Sequence, residues 1–109
     1  MIPNLESVQS IFSKMQSEGL DINKPLKWGF FFIDKNKESL LKVFNELKDY
    51  QYTIESLHES DDGRWVLQVS KIETLLPEKL HRRNISFNEL AEHFNVELYD
   101  GWDVGPVEN

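Results

Sequence analysis

The sequence predicts a single domain of the α+β class, and three features of the chain lead to this prediction. Two segments have apolar residues at helical spacing. Each of them lies between two segments whose apolar residues alternate or form a continuous run, as they do in strands. An Asp-Asp-Gly turn at 61–63 joins residues 52–59 and 65–70 into a hairpin. A further helical segment comes first. This order predicts a ferredoxin-like βαββαβ sandwich with an extra N-terminal helix, covering residues 1–109.

The first helix is predicted over residues 4–18. Asn4 is a suitable N-terminal cap because its side chain can accept a hydrogen bond from a free backbone amide, and Gly19 is a suitable end. The apolar face of this helix consists of Leu5, Val8, Phe12 and Met15.

Residues 28–33 form a continuous apolar run that is too short for a helix. Such a run is typical of a strand with both faces covered, so it predicts a central strand of the sheet. The second helix is predicted over residues 37–49, with Asp34 or Asn36 as its cap. Its buried stripe consists of Leu40, Val43, Phe44 and Leu47.

The third helix is predicted to begin at Ser86, because Ser86 and Glu89 have the spacing of a capping box. Residues 77–85 are therefore predicted to be a connector, although Pro77 would allow one helical turn there. Asn95 is predicted to end the helix in a left-handed conformation.

The last strand is predicted over residues 96–104. Its alternation assigns Val96, Leu98, Trp102 and Val104 to one face, and Glu97, Tyr99 and Asp103 to the other. Gly101 interrupts this alternation, which predicts a β-bulge that changes the direction of Trp102 relative to Tyr99.

The doubled strand-helix order predicts an antiparallel sheet in the spatial order 4-1-3-2, with the second and third helices on one face. The opposite face is left to the N-terminal helix, to a partner chain or to water.

Composition limits the function. The chain has no cysteine, which excludes thiolate metal sites and cysteine catalysis. Its net charge of −7 repels the phosphates of nucleic acid, so the expected partner is a basic protein and not naked RNA. No stretch approaches the length of a membrane span and no leader is recognisable, so we expect a cytoplasmic protein without membrane contact.

No motif in the chain indicates an enzyme, a metal or a cofactor. His58, His81 and His93 lack the spacing of metal ligands. The hairpin carboxylates Glu55, Glu59, Asp61 and Asp62 are interpreted as solvated charge. The basic run at 79–83 is interpreted as a solvated connector, with a partner contact as the alternative.

Of the three tryptophans, Trp102 is the one predicted at an interface. It ends an edge strand beside a glycine and several carboxylates, a setting typical of a binding hot spot. The candidate partner-binding residues are therefore Tyr99, Asp100, Gly101, Trp102 and Asp103. The same edge also predicts a weak self-contact, since an unpaired strand is a template for pairing.

The segment Leu90-Ala-Glu-His-Phe-Asn-Val-Glu-Leu-Tyr-Asp-Gly-Trp102 resembles the closing motif of the regulator of ribonuclease activity B family. Looser similarities lie in residues 15–19 and 28–57. The resemblance implies a ferredoxin-like fold and a non-catalytic inhibitor that binds ribonuclease E or another RNA-processing protein. Two alternatives remain open: a single-domain RNA binder that uses an open sheet face, and a small ligand-binding protein or enzyme with a polar pocket.

Overall fold

A computed structural model describes residues 1–107 and shows an α+β structure with three helices and a four-stranded sheet. The elements in chain order are α1 (Leu5–Ser17), β1 (Leu26–Asp34), α2 (Lys37–Leu47), a short 3-10 helix (Lys48–Tyr50), β2 (Thr53–Glu59), β3 (Trp65–Glu73), α3 (Pro77–His93) and β4 (Leu98–Gly105). No helix in the described range is both long and apolar enough to cross a membrane.

The sheet is antiparallel throughout and has the order β2-β3-β1-β4. Read from the other edge, this is the predicted order 4-1-3-2, and the strand that contains Trp28 lies in the interior of the sheet as predicted. The two longest strands, β1 and β3, pair along their whole length, from Leu26 opposite Glu73 to Asp34 opposite Trp65.

All three helices pack on one face of the sheet. Alternate residues of β1 form the floor of this core, and Trp28, Phe30 and Phe32 are fully buried. The Phe12 ring of α1 stacks on Trp28 at 5.7 Å, and the Phe87 ring of α3 meets Phe30 edge-on at 5.0 Å. The buried stripe of α2 belongs to the same apolar cluster. The N-terminal helix therefore lies on the same side as the other two.

The other face of the sheet is uncovered by any element within residues 1–107, and we call it the open face. On β1 it carries Lys27, Gly29, Phe31 and Ile33. Phe31 and Ile33 are half-buried by neighbours within the sheet, and Lys27 is exposed. The prediction that both faces of this strand are covered is wrong. Phe31 and Ile33 are instead partly buried by side chains of the neighbouring strands; Val66 and Leu98, for example, flank Ile33.

Helix α3 begins at Pro77, and the predicted connector at 77–85 is wrong. Proline is favourable at the first position of a helix, where its missing N–H is not needed. The helix is held down by a stripe of buried side chains that starts before Ser86: Leu80, Asn84, Phe87 and Ala91. Ser86 is exposed in the middle of the helix and caps nothing. The predicted left-handed Asn95 is confirmed, with φ of 55°.

The remaining local predictions agree with the structure to within three residues. The side chain of Asn4 accepts a hydrogen bond from the Ser7 amide, and that of Asn36 accepts one from the Glu38 amide. These two bonds cap α1 and α2. The hairpin turn contains Gly63 with φ of 82°, a left-handed conformation that favours glycine.

Candidate partner-binding surface

A β-bulge in β4 determines where the five candidate residues lie. Phe31 pairs with Gly101, but the next residue of β1, Phe32, pairs with Tyr99, so Asp100 is an extra residue. Gly101 has φ of 103°, which a side chain would strain. The predicted bulge is confirmed. The predicted change in the direction of Trp102 relative to Tyr99 is also confirmed, because Tyr99, Trp102 and Val104 all lie on the helix side.

Tyr99 is a core residue and offers no surface to a partner. It is 1% exposed, and its ring packs against Phe32 and Phe87 at 5.2 and 5.5 Å. Its hydroxyl donates a hydrogen bond of 2.6 Å to the Asn84 side-chain oxygen. Burial raises the pKa of this phenol above its ordinary value. Tyr99 thus fixes β4 to α3.

Trp102 is half-buried on the helix side, at the junction of α1 and the sheet. Its ring lies 6.4 Å from that of Phe12 and 5.7 Å from that of Trp28. These contacts give Trp102 a packing role in addition to any contact with a partner.

Asp103 lies on the open face, directly across from Gly29 of β1. A Cβ atom at Gly29 would lie 2.2 Å from the Asp103 Oδ1 atom and 3.3 Å from the Gln68 Nε2 atom. The Asp103 carboxylate therefore occupies the space that a side chain at position 29 would need. Asp100 is exposed at the bulge, and Gly101 is buried. The five candidates are thus divided between the two sides of β4.

Beside Asp103 the open face carries a polar cluster of Lys27, Glu55 and Ser70, which motif reasoning missed. The Lys27 ammonium lies 2.9 Å from the Glu55 Oε1 atom, and the Ser70 hydroxyl donates to the same atom at 2.6 Å. The hydrogen bond from Ser70 and the charge of Lys27 lower the pKa of Glu55. A register shift between Ile54 and Ser56 places Glu55 here, and no glycine marks this bulge in the sequence.

This polar half of the open face forms a shallow groove. One part, of about 250 Å³, lies over Gly29 between Asp103 and Glu55. A second part, of about 410 Å³, continues over Ser70 toward Thr53 and Val107. The other half of the face carries the half-buried apolar side chains of Phe31, Ile33, Val66 and Leu98, with the exposed His58 beside Val66.

Arg83 does not belong to the solvated connector that the sequence predicted. Its guanidinium makes two parallel contacts with the Glu73 carboxylate, at 2.7 and 3.0 Å, and donates to the Tyr52 hydroxyl at 2.6 Å. Burial raises the pKa of Tyr52 to about 12. The interpretation of residues 79–83 as solvated is therefore wrong at Arg83, because the early start of α3 turns this side chain toward β2 and β3.

The described residues define a small α+β protein with a helical layer on one side of its sheet and a mixed polar and apolar surface on the other. Within residues 1–107, no three His, Asp or Glu side chains are grouped to hold a metal ion.

The chain belongs to the family described as regulator of ribonuclease activity B, whose model matches residues 6–104. A comparison with curated protein sequences gives no match. The family match covers every helix and strand apart from the ends of α1 and β4.

Proposed function

We propose that this protein is a non-catalytic regulator that binds ribonuclease E, or another protein of RNA processing, in the cytoplasm. Membership of the regulator of ribonuclease activity B family is the observation that carries the proposal. We also infer a ferredoxin-like fold, since β1-α2-β2-β3-α3-β4 is the βαββαβ order and the sheet order is β2-β3-β1-β4.

The partner-binding residues in this proposal are Asp100 and Asp103, which are positioned by the bulge at Gly101 and supported from the helix side by Tyr99 and Trp102. Asp100 and Asp103 are exposed carboxylates without an ion-pair partner among the described residues. With a net charge of −7, the chain would attract a basic partner from a distance and orient it.

The polar cluster on the open face supports binding better than catalysis. The Ser70 hydroxyl donates a hydrogen bond to Glu55, whose carboxylate is already paired with Lys27. The lowered pKa of Glu55 makes this carboxylate a weak base, so it is poorly suited to activate the Ser70 hydroxyl.

The test is surface plasmon resonance with purified ribonuclease E, together with an assay of RNA cleavage by that enzyme. We expect saturable binding that weakens as salt rises, and slower cleavage in the presence of the protein. Absence of binding at low salt, with both proteins shown to be folded, would exclude ribonuclease E as the partner.

RNA binding remains a second candidate because of one observation: Phe31 lies half-exposed on the open face of a central strand. RNA-recognition modules stack bases on aromatic residues in such positions. The charge of the chain opposes this reading, and Lys27, a cation on that face, is paired with Glu55. A filter-binding assay with single-stranded RNA tests this second candidate, and we expect the protein to retain no RNA on the filter.

A further inference from the structure

The open face combines an apolar half and a polar half along the same strand. Ile33 and Phe31 mark the apolar half, and Gly29 lies in the polar half. Ile33 and Gly29 are four residues apart on β1, which corresponds to about 13 Å along an extended chain. A peptide in extended conformation repeats its side-chain direction every second residue, so two of its side chains four residues apart would reach both halves.

We propose that the open face is a docking surface for an extended basic segment of a partner protein. An arginine of that segment lies over Gly29 against Asp103, and an apolar side chain four residues away packs on Phe31 and Ile33. The proposal deepens the proposed function, since the segment would come from the regulated ribonuclease or its associated proteins.

The geometry over Gly29 favours arginine. The missing side chain at Gly29 lets the Asp103 carboxylate lie against the sheet, next to the Gln68 amide. A carboxylate that is exposed and unpaired within the described chain can accept two parallel hydrogen bonds from a guanidinium. An ammonium group has no planar fork to match the two oxygens of this carboxylate.

Charge favours a basic segment over two other possible occupants of this face, RNA and a second copy of this chain. The open face carries the Asp103 carboxylate, which has no ion-pair partner among the described residues, while Lys27 is paired with Glu55 and Lys71, at the border of the groove, lies over the Tyr52 ring. RNA phosphates and a second copy of this chain, with its net charge of −7, are both repelled by such a face. A basic segment is attracted and also buries the apolar half.

The test uses the full chain, labelled with ¹⁵N, and synthetic peptides followed by NMR. The probe is acetyl-Ser-Val-Thr-Ser-Thr-Arg-Ser-amide, together with the peptide of reversed sequence and a version of each with glutamine in place of arginine. We expect amide shifts at Gly29, Gln68 and Asp103, and at Ile33 and Val66. Peptides with glutamine should bind about three- to tenfold more weakly.

Three variants identify the surface. Asp103→Asn keeps the shape of the groove and should weaken the arginine peptides about three- to tenfold, as the glutamine peptide does. Gly29→Ala should displace Asp103 and weaken binding as well. Glu89→Gln removes one negative charge from an exposed position on α3, on the helix side, and should change the affinity by less than about twofold. Unchanged ¹⁵N spectra away from each substitution show that the variants are folded.

Several results would overturn the proposal: shifts confined to the helices, no shifts at millimolar peptide, equal binding of the glutamine peptides, or shifts that appear with protein concentration alone.

The same variants are then measured against ribonuclease E. Peptide binding without ribonuclease E binding rejects the proposed function and leaves the surface standing. If the peptides do not bind and Asp103→Asn binds ribonuclease E as tightly as the wild-type protein does, the docking surface is rejected and the proposed function stands.

Discussion

At the scale of single residues, the ion pair of Arg83 and Glu73 is the clearest test of what holds α3 to the sheet. Both side chains are largely buried, with 16% and 12% of their surface exposed. Arg83→Met leaves the Glu73 carboxylate buried without its partner, so we expect the free energy of unfolding in urea to fall by about 2–4 kcal/mol. The double variant Arg83→Met with Glu73→Met should recover much of this loss, because neither charge is then left alone.

The same pair gives a pH dependence with a definite sign. Burial alone would raise the pKa of Glu73, but the hydrogen bonds and charge of Arg83 outweigh it and lower the pKa below 4.5. The stabilisation from the pair is therefore present above pH 4.5 and lost as the pH falls further. The gap in stability between the wild-type protein and Arg83→Met should shrink in acid. A constant gap down to the acid transition would contradict this account.

Tyr99 and Trp102 show what residue patterns miss. The sequence contained the signal for the bulge, namely Gly101, but it did not say which neighbour would become the extra residue. One extra residue reverses the direction of every side chain on one side of it. Tyr99 therefore lies in the core on the same side as Trp102, and not on the opposite face that the alternation assigned to it. Asp100 and Asp103 are the exposed carboxylates of the candidate set, and their role in binding stays a prediction.

At the scale of elements, α3 shows how two helix-start signals compete. Ser86 and Glu89 fit a capping box, and Pro77 fits a first helical position. The helix takes the earlier start because Leu80 and Asn84 are buried against the rest of the protein, and tertiary burial outweighs a local cap. Sequence periodicity alone could not show this, since the stripe before Ser86 is interrupted by charged residues.

Ser86→Ala tests this boundary directly. If Ser86 lies within the helix, alanine should be neutral or should stabilise the protein by up to about 0.5 kcal/mol, because of its higher helix propensity. If Ser86 were a cap, the same change would cost about 1 kcal/mol. Asn4→Ala and Asn36→Ala serve as controls, since both remove an observed cap and should each cost about 1 kcal/mol in thermal or urea unfolding.

At the scale of the whole molecule, the order of the strands could be predicted and the placement of α1 could not. Connection rules leave few arrangements for two strand-helix-strand units, and the observed sheet is one of them. The position of α1 depends on the contact between Phe12 and Trp28, two residues with no pattern that links them in sequence. Its position on the helix side is what leaves the sheet open.

The net charge of −7 predicts opposite salt responses for the two kinds of contact that the open face could make. Binding of a basic partner should weaken as salt rises, whereas self-association should strengthen, because salt screens the repulsion between two acidic copies. We expect sedimentation velocity to show a monomer at about 0.05 M salt and a weak dimer, at most, at about 1 M. Asp103→Asn should raise the dimer fraction at low salt, since a two-fold contact would lose two negative charges, and Glu89→Gln should not. A dimer that is strongest at low salt would mean that complementary charges, and not the apolar half of the open face, hold two copies together.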